Sequence, residues 1–320
     1  MSALIAPLDG HDLVSELLLG MRLTGVHYRR IELPVPFGLR YGQGRAQFHF
    51  VGRGPLYLRT SGGQLHVLDK GDAVLLPLGS AHALLSSPEV SPQDIADFQS
   101  TDLCANVCAI RPREQVHGNP CADANSLIFS ACMELDLGGM QMLVTAMPEV
   151  MRVSTLLDRY PELRAMLDAM ERESQSRRAG FAGILARMAD LIAALIVRGW
   201  VECGCGDATG WVEALRDPRL GKAMLAMHRD PGRAWTVAEL AAEMGSSRSV
   251  FAERFLAVTG MTPLRYLTEL RMRLATQWIT RDRQAIEAVA YRLGYGSLAA
   301  FSRAFKRTVG VPPGALRAIS

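Results

Sequence analysis

The chain has 320 residues, enough for two domains with sizeable cores. Hydrophobic residues make up 49% and charged ones 21%, an ordinary globular balance, and no apolar run reaches the roughly 18 to 20 residues that span a bilayer. The net charge of +3 conceals an asymmetry: residues 211–320 carry 17 Lys/Arg against 9 Asp/Glu, about +8, which leaves about −5 for the remainder. A nucleic-acid-binding module joined to an acidic partner domain would show that distribution, and so would a solvated surface.

The N-terminus "MSALIAPLDGHDLVSELLLG" has acids where a signal peptide places basic residues, so the expected location is the cytoplasm. Six cysteines without a secretory signal then read as thiols, ligands or sensors rather than as a disulfide framework. From Ala46 the text "AQFHFVGRGPLYLRTSGGQLHVLDKGDAVLLPLGSAHALL" alternates strand-like segments with Gly-bearing turns, as a small antiparallel barrel does. This resembles a cupin, most closely in "GDAVLLPLGSAH", Gly71 to His82. The resemblance implies an earlier motif with two histidines two apart and a carboxylate. Here only His49 stands in "FHF" and no Glu follows, a departure that speaks against metal-dependent catalysis. His49 and His82 can be read as two ligands of a divalent metal such as zinc, or as buried, hydrogen-bonded barrel residues.

The stretch from Ser86 to Asn125 is a Pro-, Asp- and Ser-rich connection carrying Cys104, Cys108 and Cys121 near Arg111, Arg113 and His117, and Cys132 lies in the strand "CMELD" that follows. A loop thiol beside such cations can be poised for oxidation; inert small hydrophobes in an insertion are the alternative. Helical patterns follow from Tyr160, and the helix expected over 179–202 presents Ile184, Met188, Leu191 and Leu195 on an apolar face suited to a homodimer or to packing on the barrel. "CGCGDATG", Cys203 to Gly210, marks the boundary between a domain at 1–205 and one at 211–320.

The second domain says nearly the same thing twice. Ala241/Ala290 and Gly245/Gly294 match at a step of 49 residues, and Phe251/Phe301, Phe255/Phe305, Gly260/Gly310 and Pro263/Pro313 at a step of 50. Each copy reads as a short helix ended by Gly, a tight turn, and a second helix with Phe at i and i+4 on its inner face: a helix-turn-helix written twice. "WTVAE" opens the first copy with a capping box of Thr236 and Glu239, and "PLRYLTELRMRLATQWIT" reads as one linking helix, Pro263 to Thr280, with Leu264, Leu267, Leu270, Leu274 and Ile279 near one face.

With "RMRLA", "GYGSLAAFSRAFKRTVGVPP" and "GMTPLRYL", residues 211–320 resemble the DNA-binding domain of the AraC/XylS family of bacterial transcription regulators. The resemblance implies a seven-helix unit with two recognition helices, about 248–258 and 298–308, each entering a major groove. Carried over position by position, Arg248, Ser249, Ala252 and Glu253 face the groove in the first, and Leu298, Ala299, Ser302 and Arg303 in the second. Arg303 suits guanine, Glu253 suits cytosine N4 or a salt bridge, and the apolar members suit a thymine methyl. Ser247, Ser297, Lys306 and Arg307 suit phosphate. Arg271 and Arg273 lie on the linking helix, where the family often buries one in an ion pair.

The fold class expected is therefore α+β: a cupin-like antiparallel β-barrel with flanking helices, then an all-α double helix-turn-helix domain. Over nearly the whole chain the resemblance is to AraC-type regulators with a cupin-type sensor, a subgroup that includes regulators responding to reactive chlorine. What that implies is a regulator with no chemistry of its own, binding double-stranded DNA as a dimer, answering a small-molecule, metal or oxidant effector, and touching RNA polymerase if it activates. The alternative is a cupin-type metal-dependent enzyme with a DNA-binding tail.

Overall fold

A computed structural model describes residues 13–112, 125–157, 159–176, 178–203 and 210–316. The elements begin with α1 (Leu13–Gly20), β1 (Arg22–Pro34), β2 (Gly38–Tyr41), β3 (Ala46–Arg53), β4 (Leu56–Thr60), β5 (Leu65–Leu68), β6 (Ala73–Leu76), β7 (His82–Leu85), β8 (Gln93–Asp94), β9 (Gln99–Cys104), β10 (Val107–Arg111), β11 (Asn125–Asp136) and β12 (Met151–Arg152). Helices α2 (Glu162–Ser176) and α3 (Phe181–Cys203) follow. The remainder is helical: α4 (Trp211–Arg216), α5 (Pro218–Arg229), α6 (Val237–Met244), α7 (Arg248–Thr259), α8 (Pro263–Thr280), α9 (Ile286–Arg292), α10 (Leu298–Val309) and α11 (Pro313–Leu316).

These elements fall into two compact units. One comprises 22–136 and 147–200. Its strands form a seven-stranded sheet, β12-β6-β3-β11-β1-β10-β9, and a five-stranded sheet, β5-β4-β7-β2-β8. Only β1–β10 and β2–β8 run parallel among the described pairs. Ile31, Val51, Val74 and Ile128 from the first sheet meet Leu39, Leu56, Leu58 and Leu84 from the second in one buried core. The antiparallel barrel expected from the turns is thus realised as two facing sheets. The chain passes from one sheet to the other at Val35–Pro36 and Gly54–Pro55. Proline has no N–H to donate, so a ladder stops there instead of continuing round a closed cylinder.

The cupin-like segment is turned by Gly79, at φ +59°, where a Cβ would run into the Gly44 carbonyl oxygen. Only glycine fits that approach, and it aims β7, with His82 at its head, back across the sheet. On the outside, α3 buries Leu185, Ile192, Ile196 and Trp200, while Ile184 and Leu191 remain 47% and 49% exposed. Met188 is half-buried. Leu195, expected on the same outward face, is buried.

The other unit joins 201–320 to two earlier pieces, the segment through Met21 and Leu137–Ala146. Helix α1 packs against α5, and a 3-10 segment, Gly138–Ala146, packs against α8. Leu13, Leu17, Met140 and Leu143 are buried. Helix α6 opens with the capping box: the Thr236 hydroxyl accepts from the Glu239 amide at 3.2 Å, and the Glu239 carboxylate accepts from the Thr236 amide at 2.8 Å. Gly245 ends it at φ 68°. Helix α8 is unbroken from Pro263 to Thr280, burying Leu267, Leu270 and Ile279; Leu264 is 43% exposed and Leu274 half-buried. The second copy departs from the first at its start, because Ala285 precedes α9 without a side-chain cap. At its turn, Gly294 has φ 79° and an added Cβ would collide with the Gly232 carbonyl oxygen, so both the backbone angle and the space exclude any side chain.

Candidate nucleic-acid interface and sensor core

In the helical unit the repeated Phe residues explain which side chains are left for a ligand. Phe251, Phe255, Phe301 and Phe305 have no exposed surface. Within each recognition helix the pair meets ring to ring, at 5.6 Å in α7 and 5.5 Å in α10. Anchoring these faces turns Arg248, Ser249 and Glu253 outward on α7, and Leu298, Ala299, Arg303, Lys306 and Arg307 outward on α10; Ala252 and Ser302 are half-buried. Among the described residues, Arg248, Glu253, Arg303 and Lys306 take part in no ion pair, so the salt bridge considered for Glu253 is not formed. Ser247 and Ser297 are the N-caps, accepting from the amides of Val250 at 3.4 Å and Ala300 at 3.2 Å. Ser297 keeps its hydroxyl proton available to an acceptor at a helix N-terminus, where partial positive charge accumulates, whereas the Ser247 and Ser249 hydroxyls share a 3.2 Å hydrogen bond.

Other basic residues are occupied by the fold. Arg254 pairs with Asp217 at 2.6 Å. Arg271 donates to the carbonyls of Pro231 at 2.6 Å and Arg233 at 2.8 Å, and so ties α8 to the loop before α6. Arg273 lies 3.7 Å from Glu269. Neither Arg271 nor Arg273 is presented as freely as Arg303.

In the two-sheet unit, the histidines named from sequence do come together. His49 projects from β3 and His82 from the start of β7, with exposures of 0% and 4%, and their Nε2 atoms are 2.8 Å apart. The protons follow from the partners. The Ser80 carbonyl can only accept, so His82 Nδ1, 2.7 Å away, carries hydrogen. A neutral His82 then offers a lone pair at Nε2, and His49 donates to it. His49 Nδ1 in turn accepts from the Ser130 hydroxyl at 2.8 Å, and Ser130 accepts from the Tyr41 hydroxyl at 3.3 Å. Tyr41 stacks on His82 with ring centroids 4.7 Å apart and meets His49 edge-on at 4.9 Å.

Burial, first of all, holds His49 well below the ordinary histidine range, and the neighbouring His82 and Arg29 push the same way. Burial also lowers His82, against the opposing effect of its bond to Ser80. It drives the Tyr41 hydroxyl up to about 12. Both imidazoles are neutral near pH 7, and the chain Tyr41–Ser130–His49–His82–Ser80 is satisfied end to end.

That arrangement suits a metal poorly. A tetrahedral zinc with Zn–N bonds of about 2.0–2.1 Å would hold two nitrogens roughly 3.3 Å apart and would displace the proton they now share. Among the described residues no group of three His, Cys, Asp or Glu converges. Tyr41 and Ser130 escape a reading by motif because they come from β2 and β11; the available signal is Ser130 itself, a polar residue at an inward position of an apolar strand.

Cys104, Cys108 and Cys132 occupy strands rather than a loop. Cys104 ends β9 and Cys108 lies in β10, joined by a turn in which Asn106 takes φ 64°, a left-handed conformation Asn tolerates. Cys104 is paired with Val107, immediately before Cys108. Cys108 lies opposite Arg29 on β1, and Cys132 on β11 lies opposite His27. All three are half-buried and free. Two strand spacings of about 4.8 Å separate Cys108 from Cys132, beyond the Cα distance of about 7 Å that a disulfide can close, whereas Cys104 and Cys108 are on neighbouring strands. Cys121 and His117 lie outside the described residues.

Comparison with known proteins gives a consistent picture. Residues 12–202 match the cupin family and 240–319 a helix-turn-helix domain family. A putative AraC-like transcription regulator of Streptomyces lividans is 30% identical over 272 residues, 85% of this chain and 86% of that protein. The HTH-type transcriptional regulator AlkR of Acinetobacter baylyi is 29% identical over 262 residues, 81% and 83% of the two chains. The RCS-specific HTH-type transcriptional activator RclR of Escherichia coli is 27% identical over 311 residues, 96% and 97% of the two chains. No helix among the described residues is long and apolar enough to cross a membrane.

Proposed function

We propose a working scheme for this chain, which belongs to the AraC-like family of transcription regulators and carries a cupin sensor domain ahead of a helix-turn-helix DNA-binding domain. Residues 211–320 read double-stranded DNA and residues 1–205 receive the signal, with no chemistry performed on a substrate. The observation that carries the reading is the twofold presentation of α7 and α10, each locked inward by its Phe pair and each offering unpaired polar side chains outward. Arg248, Ser249, Ala252 and Glu253 on α7, and Leu298, Ala299, Ser302 and Arg303 on α10, face base edges. Ser247, Ser297, Lys306 and Arg307 hold phosphate. DNA affinity of the full chain should fall steeply with salt, by gel shift or anisotropy. Arg303→Ala should cost roughly 1–3 kcal/mol at one base position if it reads guanine. An equal loss on every sequence would reassign it to phosphate, and a salt-independent affinity would overturn the interface.

A homodimer is supported by α3, whose outward Ile184 and Leu191, flanked by half-buried Met188, form an apolar stripe. Leu195, being buried, takes no part in that stripe. Replacing Ile184 and Leu191 by Glu should leave a folded monomer in sedimentation at micromolar concentration. A wild-type chain that is already monomeric there would remove the proposal.

For the signal, the hydrogen-bonded His49–His82 pair serves better as part of a two-state core than as a metal seat, and the neighbouring Cys104 and Cys108 are the pair that oxidation can join with least movement. Cys121 and Cys132 remain candidates as mixed partners. An activator would also touch RNA polymerase. Serine at Cys104, Cys108, Cys121 and Cys132 should abolish the response of a reporter gene to hypochlorous acid if thiols carry the signal. Alanine at His49 and His82 should abolish it if the paired core does. An unchanged response in both variants leaves a small ligand as the signal.

A further inference from the structure

Resting on the DNA-reading scheme above, we infer that Arg271 is a positioning residue: it clasps the two helix-turn-helix units together, so that one chain accepts a single base-pair spacing between the two major-groove segments it reads. Helix α8 alone does not settle that spacing. Its first half belongs to the first unit, where Tyr266 meets Phe255 of α7 with ring centroids 5.7 Å apart. Its second half belongs to the second unit, where Met272, Ala275 and Ile279 join Val289, Phe301 and Phe305 in one buried core. Arg271 stands where α8 changes from one core to the other. Two small cores strung on one helix can rock about that point unless something spans it.

The Arg271 side chain reaches both ways from there. Toward the first unit, Nε donates to the Pro231 carbonyl at 2.6 Å and Nη2 to the Arg233 carbonyl at 2.8 Å. Toward the second, the guanidinium donates to the Tyr295 hydroxyl and lies 5.8 Å from the centre of the Tyr295 ring. Each of these contacts leads to a recognition helix. Tyr295 meets Phe301, the ring that seats α10, edge-on at 5.4 Å. Arg233 pairs at 2.8 Å with Glu239, the carboxylate of the capping box that opens α6, and α6 packs on α7. The same two loops also touch backbone to backbone. A Cβ on Gly232 would run into the Arg292 carbonyl oxygen, and one on Gly294 into the Gly232 carbonyl oxygen. So close an approach leaves the loops no room to slide past each other.

The chemistry of the residue suits this task. A planar guanidinium holds its N–H donors in a rigid fork and can serve two carbonyls and a hydroxyl at fixed angles, which a single ammonium cannot do. What the clasp uses is therefore the direction of the bonds, and Arg271 spends them on the protein rather than on phosphate. The consequence lies in the DNA. One extra base pair between two segments moves the second by about 3.4 Å and turns it by about 35° around the duplex. A clasped pair of reading heads cannot follow that displacement, and an unclasped pair can. Holding the heads in register beforehand also spares the ordering that a loose pair would undergo on binding.

The test uses the full-length protein and a site that it enriches from random duplexes, with the two segments covered by one chain located by footprinting. Versions with one base pair inserted or deleted between those segments are compared with the parent site by anisotropy. The wild-type chain should lose about a hundredfold on either, the order expected when the contacts at one segment are forfeited. Arg271→Met keeps most of the stem and removes the donors. It should bind the parent site about tenfold more weakly, yet lose less than about tenfold further on the altered spacings. Gly232→Ala, which forces the same two loops apart without touching the arginine, should relax the spacing in the same way. Tyr295→Phe keeps the ring against Phe301, removes only the hydroxyl and should give an intermediate ratio; it decides the matter if circular dichroism shows either other variant unfolded. A domain that is merely weakened would lose affinity on all three duplexes alike and keep the wild-type ratio. Arg271→Met should also leave the salt slope unchanged, whereas loss of a phosphate contact lowers it by about one. Wild-type spacing ratios in the folded variants, or a lowered slope, would overturn the clasp. Enrichment of a site that the wild-type chain reads equally well at altered spacing would overturn the clasp alone, and enrichment of no duplex would overturn the DNA-reading scheme and the clasp with it.

Discussion

Replacing Phe301 by Ala should destabilise the helical unit by about 3–5 kcal/mol, the range for deleting a fully buried aromatic ring. Phe301 has no exposed surface, meets Phe305 at 5.5 Å and Tyr295 edge-on at 5.4 Å, and belongs to the cluster that joins α8, α9 and α10 through Met272, Ile279, Val289 and Leu293. A domain whose whole stability is about 5–15 kcal/mol cannot lose that much and keep the cluster ordered. Denaturant unfolding should show a lowered midpoint, and DNA binding should drop far more than for Arg303→Ala, across all sequences, because the second recognition helix loses its seat. Phe301→Leu, which keeps most of the volume, should retain much of both. If Phe301→Ala unfolds at the wild-type midpoint, the ring is not the anchor assigned to it.

Acid should destabilise the protein before its carboxylates are protonated. His228 on α5 shares a 2.5 Å hydrogen bond with the Tyr266 hydroxyl of α8, and burial, helped by Arg273, lowers it to about 4 from an ordinary 6.5. Above pH 6.5 the imidazole is neutral in both folded and unfolded chains, and no stability is at stake. As pH falls from there toward 4, the unfolded chain takes up a proton that the folded one refuses, so stability declines. The total is on the order of 3 kcal/mol, since each tenfold difference in proton affinity between the folded and unfolded chains is worth about 1.4 kcal/mol. His49 and His82 are lowered for the same reason and act in the same direction on the other unit. Unfolding free energy measured from pH 7 to 4 should fall, and His228→Gln should flatten the part belonging to the helical unit. A profile that stays level to pH 4.5 would mean these imidazoles are solvated.

The two halves of the molecule are unequally legible in the sequence. In the helical half, local rules act within a few residues: a capping box at Thr236, a left-handed Gly245, and Phe at i and i+4 each fix a boundary or a face, so the outward side chains follow from spacing. In the two-sheet half the decisive relations are between distant segments. His49 and His82 stand out by motif, but Tyr41 and Ser130, which set their protons, enter only through a side-chain contact between the two facing sheets, 89 residues apart along the chain. The Cys104–Cys108 hairpin reads as loop because its first strand, QSTDLC, is polar and faces water, and the second, VCAIR, is only five residues long. Periodicity places Leu195 on an outward face because it tells which residues share a side of a helix, but not how wide a side the neighbours cover.

The interleaving of the two units has a consequence for how this molecule can be taken apart. Composition suggests a single tether near residue 205, yet the backbone passes from one unit to the other after Met21, Asp136, Ala146 and Trp200. Both inserted pieces, α1 and the 3-10 segment, are continuations of β1 and β11, which are paired to their very ends at Arg22 and Asp136. No one scission therefore yields two complete bodies. A fragment beginning at Trp211 would carry both recognition helices but expose the surfaces on α5 and α8 that Leu13–Gly20 and Gly138–Ala146 cover, so its solubility would understate what those helices can do in the intact chain.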